Sequence, residues 1–98
     1  MNILRILSVE SLRDGGSLII SFQADDSCEY WLMLPMIARD ADDIDFGTPV
    51  LINRTTAVEV DLSWEGAKAW LCKLEYHIQI GKYESPLSRM KAIIHAHI

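Results

Sequence analysis

One segment, Ser63 to Gly81, sets the problem that the rest of the chain has to solve. It is the longest stretch with a clear helical period. At about 100° per residue, Trp64, Ala67, Trp70, Leu71, Leu74 and Ile78 fall on one arc about 120° wide, and Glu65, Lys68, Lys73, Glu75 and Gln79 lie outside it. A short helix with one oily side is stabilised chiefly by burying that side, so it needs a surface to lie on. Ser63 is placed to cap it, Glu65 sits near the positive end of its dipole, and Gly81 is expected to end it in the left-handed conformation. Gly66, unfavourable by up to about 1 kcal/mol relative to alanine, is expected to allow close packing on that surface.

The surface is a sheet, because everything before Ser63 reads as strands and turns. Met1 to Val9 is rich in β-formers, and Asp14-Gly15-Gly16 follows as a turn. Leu18 to Ala24 alternates cleanly, with Leu18, Ile20, Phe22 and Ala24 on one face and Ile19, Ser21 and Gln23 on the other. Asp25-Asp26-Ser27 makes a second turn. Cys28 to Ala38 is apolar on both parities: Tyr30, Leu32, Leu34 and Met36 on one, Trp31, Met33 and Ile37 on the other. Such a strand is either covered on both faces or turned towards a partner. Pro35 cannot donate a ladder hydrogen bond, so it marks an edge, a bulge or an end. Arg39 to Gly47 reads as an acidic loop; Thr48–Asn53 and Thr56–Leu62 read as a fourth and a fifth strand. In the last of these Val58 and Val60 are expected to face inward, and Glu59 and Asp61 outward. Ser85-Pro86 then starts a second helix, with Leu87, Met90, Ile93, Ile94 and Ile98 on one face. The expected architecture is a single α+β domain over residues 1–98: an antiparallel meander of about five strands with two C-terminal helices packed on one face.

Composition bounds the chemistry. Of the 98 residues 14 are acidic and 9 basic, a formal charge of −5, and the basic residues are scattered along the chain. Phosphate binding needs clustered Lys and Arg, so nucleic acid is not an expected partner. No apolar run approaches the roughly 18–20 residues that cross a bilayer, and no leader segment is visible. Two cysteines, Cys28 and Cys72, without a demanding spacing fit free thiols and a cytoplasmic protein.

The residue types that carry catalysis do not assemble in the sequence. Cys72 and His77 are five apart and point some 140° away from each other on a helix. His95 and His97, two apart, also diverge. The aspartates of the acidic loop, Asp40, Asp42, Asp43 and Asp45, miss the calcium pattern, since the sixth position from Asp40 is Asp45 rather than glycine and the twelfth is Leu51 rather than glutamate. Asp-Gly-Gly-Ser lacks the lysine of a phosphate cradle. No enzyme activity, cofactor or metal is expected.

What remains is a binding protein. Tyr30, Trp31 and Met33 are the expected apolar anchors for another protein; Asp40, Asp42, Asp43 and Asp45, with Glu59 and Asp61, form the expected acidic rim that attracts a basic partner. No diagnostic family motif is present. Size, acidity and the strand-then-helix order resemble those of bacterial immunity proteins, which neutralise a nuclease-type toxin by occluding it. The alternatives are a subunit of a homodimer or larger assembly, with Cys28–Ala38 as the self-contact, and a small ligand-binding protein or enzyme.

Overall fold

The computed structural model describes residues 2–12, 17–38 and 44–83. Its strands are β1 (Ile3–Ser11), β2 (Leu18–Ala24), β3 (Glu29–Leu34), β4 (Met36–Ala38), β5 (Ile44–Phe46), β6 (Val50–Asn53) and β7 (Val58–Asp61), followed by one helix, α1 (Trp64–Ile80). The fold is α+β. Five strands form an antiparallel sheet in the order β1-β2-β3-β6-β7, and β4 and β5 form a separate two-stranded ladder. The meander is therefore interrupted once, by a hairpin inserted between β3 and β6. The expected second helix and the Asp14-Gly15-Gly16 turn lie outside the described residues.

Pro35 explains the insertion. The expected third strand, Cys28–Ala38, is two strands, because the ladder must stop where no amide can donate. β4 then leaves the main sheet and pairs with β5, Met36 opposite Phe46 and Ile37 opposite Asp45. The Ser17 hydroxyl holds the exit: it accepts from the Met36 amide and donates to the Met36 carbonyl, both at 2.9 Å. The expected loop Arg39–Gly47 is correspondingly shorter, since Ile44–Phe46 is strand. Gly47 closes the hairpin against Pro35, where an added Cβ would meet the proline ring at 2.9 Å.

The core lies between α1 and one face of the sheet. Ile20, Phe22, Ala24, Tyr30, Leu32 and Leu34 come from alternate positions of β2 and β3, and meet Ala67, Leu71, Leu74 and Ile78 of α1. Removing each large apolar side chain from water stabilises the fold by roughly 1.5–3 kcal/mol. Trp70 packs its ring on Phe22 with centroids 5.8 Å apart, and Phe22 stacks on Tyr30 at 5.4 Å. Trp64 reaches the other way: its Nε1 donates to the Gly47 carbonyl (3.0 Å) and its ring meets Phe46 edge-on. The start of the helix thereby fixes the root of the β4–β5 hairpin.

Both ends of α1 are settled by particular atoms. The Ser63 Oγ accepts from the Gly66 amide at 3.0 Å, as a capping serine should. A Cβ on Gly66 would meet that same Oγ at 3.3 Å, so its smallness serves the cap and not the sheet. At the far end the expectation for Gly81 needs correcting. Gly81 is right-handed (φ −78°), and Lys82 takes the left-handed conformation (φ 60°). Gly81 is required for space: a Cβ there would lie 2.7 Å from the Tyr83 ring. Tyr83 packs against the core and donates its hydroxyl to the Leu7 carbonyl of β1 (3.1 Å).

β7 also departs from expectation. Val58 and Val60 do point to the helix side of the sheet, yet they are 56% and 51% exposed. A helix about 10 Å across covers about two strands spaced about 4.8 Å apart, and five strands span about 19 Å. α1 lies closest to β1 at the opposite edge, so β7 is left beyond its reach.

Candidate functional site

The second face of the main sheet is built by the residues that alternate with the core. Cross-strand register sets two adjacent rungs there. One runs Ser8, Ser21, Trp31, Ile52, Glu59, and the next runs Glu10, Ile19, Met33, Val50, Asp61. The second rung has three apolar side chains at its centre and a carboxylate at each edge of the sheet. Ile19, Trp31, Met33, Val50 and Ile52 are half-buried; Glu10, Glu59 and Asp61 are exposed. The pleat is the cause: a residue opposite Met33 on either neighbouring strand must share its face.

Trp31 is stiffened from one side. The Arg54 guanidinium lies 4.1 Å from the centre of its ring, a cation–π contact worth about 0.5–1 kcal/mol at an exposed site. Arg54 belongs to the turn after β6, whose shape is held by the Asn53 Oδ1 accepting from the amides of Thr55 and Thr56. At the other end of the face a cleft of about 290 Å³ opens between Leu12, Ile19, Met33, Pro35, Thr48 and Val50. Its walls are mostly apolar, and the described residues that line it include no carboxylate, histidine or cysteine. Such a cleft suits an apolar side chain better than a reacting group.

The expected site residues are distributed as follows. Trp31 and Met33 stand together on this face, with Glu59 and Asp61 at its β7 border. Tyr30 does not join them. It lies on the core side, 8% exposed, because it precedes Trp31 by one residue in a pleated strand. Asp45 is exposed on β5, opposite Ile37. Asp40, Asp42 and Asp43 lie outside the described residues, as do His95 and His97. Glu10, Ile19, Val50, Ile52 and Arg54 were missed. The alternation in β2 already placed Ile19 opposite the core; Glu10 needed the pairing of β1 with β2, which sequence alone does not supply.

The Tyr30 hydroxyl has its own role. It donates to the Asp26 carboxylate, whose other oxygen accepts from the Cys28 amide at 3.0 Å. The hydrogen bond to Asp26 is the main reason that the Tyr30 hydroxyl is pushed up to about 12, burial adding to it. The same bond, with that from Cys28, lowers Asp26 below the ordinary carboxylate value of 3.8. This pair locks the β2–β3 turn, in which Ser27 is left-handed (φ 65°).

Elsewhere a groove of about 500 Å³ runs between Asn2, Ile3, Lys73 and His77. Among the described residues no three His, Cys, Asp or Glu side chains come together to hold a metal ion. Cys28 is half-buried, Cys72 is exposed, and they are not paired. Among the described residues no helix is long and apolar enough to cross a membrane. Comparison of the chain with protein-family models, with curated proteins and with solved structures returns no match.

Proposed function

We propose that this chain is a small acidic protein-binding module that lays its second sheet face on a basic surface of another protein. The observation that carries the reading is the rung Glu10–Ile19–Met33–Val50–Asp61, an apolar centre between two carboxylate edges. An interface of this kind draws affinity from its desolvated centre, and attraction and orientation from its charged rim. Trp31, held by Arg54, is the aromatic anchor. Two copies of the chain meeting through this face would bring acidic edges near each other, which works against a homodimer. The concrete biological form is a cytoplasmic bacterial immunity protein that neutralises a basic nuclease-type toxin by occluding it. In that role the chain needs no catalytic group, cofactor or metal of its own.

The test is a pull-down from the source organism and, where the adjacent upstream gene encodes a nuclease-type toxin, titration of the chain with its purified nuclease domain. A one-to-one complex that blocks the nuclease is expected. Met33→Lys abolishes association, and Glu10→Lys combined with Asp61→Lys lowers the on-rate by about tenfold or more and flattens its salt dependence. Association that is indifferent to salt and to these carboxylates would remove the rim from the reading. A tight dimer at micromolar concentration that shields Trp31 would replace it with self-assembly.

A further inference from the structure

β7 ends the main sheet, and no other described strand pairs with its outer side. Which backbone groups face outward follows from one hydrogen bond and the register. The Leu62 amide donates to the Pro49 carbonyl at 2.8 Å, in step with Val60 opposite Leu51 and Val58 opposite Asn53. In an antiparallel ladder, bonded and non-bonded positions alternate. The N–H and C=O of Val58 and Val60 therefore turn to β6, and those of Glu59 and Asp61 turn away from it. The side chains alternate as well. Glu59 and Asp61 project on the second face; Val58 and Val60 project on the helix face and stay more than half exposed, at 56% and 51%.

This edge is only 4 residues long and carries two carboxylates, both of which blunt a free strand, but its backbone is open to pairing. Its register runs without a bulge from Val58 to Asp61 and it contains no proline, whereas the opposite edge, β1, has two register irregularities and carries Arg5. Its carboxylates do oppose self-pairing. An antiparallel second copy that matched valine face to valine face would set Glu59 and Asp61 opposite each other or opposite themselves, and like charges directly across a ladder are destabilising.

We propose that the outer edge of β7 takes an extended segment of a partner polypeptide in which basic and apolar residues alternate. Residues of that segment that bond to Glu59 and Asp61 share their face and meet their carboxylates, so they are Lys or Arg. The residue between them lies beside Val60 on the helix face, so it is apolar. Main-chain hydrogen bonds supply affinity, and the alternation supplies selectivity. The edge shares the carboxylates of Glu59 and Asp61 with the second face, but a strand added to β7 does not need Trp31 or Met33.

The full chain, isotope-labelled, is titrated by NMR with the acetylated peptide Thr-Lys-Val-Lys-Val-Thr. The amides of Glu59 and Asp61 are expected to shift and to exchange with solvent about tenfold more slowly. Replacing both lysines of the peptide by glutamate, or N-methylating their amides, weakens binding by about tenfold or more, because the first opposes the charges and the second removes the ladder bonds. Glu59→Lys together with Asp61→Lys, at two exposed positions that leave the core intact, reverses the preference to the glutamate peptide. The proposal is overturned if the lysine peptide leaves both amides unchanged at millimolar concentration. It is equally overturned if the N-methylated peptide binds as tightly, or if the shifts map to Trp31, Met33 and Val50 instead.

Discussion

At the scale of single residues, position on the pleat decides what a side chain does. Tyr30 and Trp31 are neighbours of similar chemistry, yet one is core and one is surface. Tyr30 confers a pH dependence whose sign follows from its hydrogen bond. Its hydroxyl ionises at about 12 in the folded chain against an ordinary 10.0. Between those values the unfolded chain gives up a proton that the folded chain keeps, so stability falls as pH rises through that window and is intact below it. Asp26 acts in the opposite sense, its contribution being present above the ordinary carboxylate value and lost as pH falls from there through the lowered value of the folded chain. Tyr30→Phe is expected to cost about 1 kcal/mol at neutral pH, the usual net value of a hydrogen bond. Denaturant titrations at a series of alkaline pH values should also show that it lacks the wild-type decline. In Asp26→Asn, the Tyr30 phenolate absorbance should appear at a pH closer to that of free tyrosine.

At the scale of elements, α1 is positioned by its ends as much as by its stripe. Ser63→Ala removes the acceptor of the Gly66 amide and is expected to lower stability by about 1 kcal/mol in urea unfolding. Gly81→Ala should reverse the usual sign of a glycine-to-alanine change near a helix end. The new methyl would displace the Tyr83 ring and break its bond to the Leu7 carbonyl, so a loss rather than a gain is expected, visible in the melting temperature. Leu71→Ala, at a position with no exposure, should cost about 2–5 kcal/mol. The strands of the main sheet were largely legible, because alternation in β2 and β7 is written in residue types. The β4–β5 hairpin was not, since Ile44–Phe46 is too short to show a period and is a strand only because Ile37 and its neighbours lie opposite. Gly81 was legible as a helix end but not in its conformation, which depends on where Tyr83 goes.

At the scale of the whole molecule, among the described residues one helix on a five-stranded sheet leaves apolar area on both sides. On the second face Met33→Lys should change stability by less than about 1 kcal/mol in denaturant unfolding, because a long side chain can lift its charge into water, while removing partner association. On the helix side Val58→Thr should likewise be nearly neutral to folding, within about 0.5 kcal/mol, because its side chain is already more than half exposed. Of the candidate site, Trp31, Met33, Glu59 and Asp61 could be named from parity. Glu10 could not, because it joins them only through strand pairing, and Tyr30 was grouped with them although its parity places it with Leu32.

The residue pattern alone determined that this chain builds a sheet before a helix, which residues line the oily stripe of that helix, and which faces the residues of β2 and β7 take. These are local properties, governed by periods of about 3.6 and 2 residues. Tertiary structure decided the register across strands, the exclusion of the β4–β5 hairpin from the main sheet, and the placement of α1 near β1 rather than over β7. Those depend on contacts between residues distant in sequence, and no period along the chain encodes them. The carboxylate-edged rung and the free edge of β7 both come from that second kind of information.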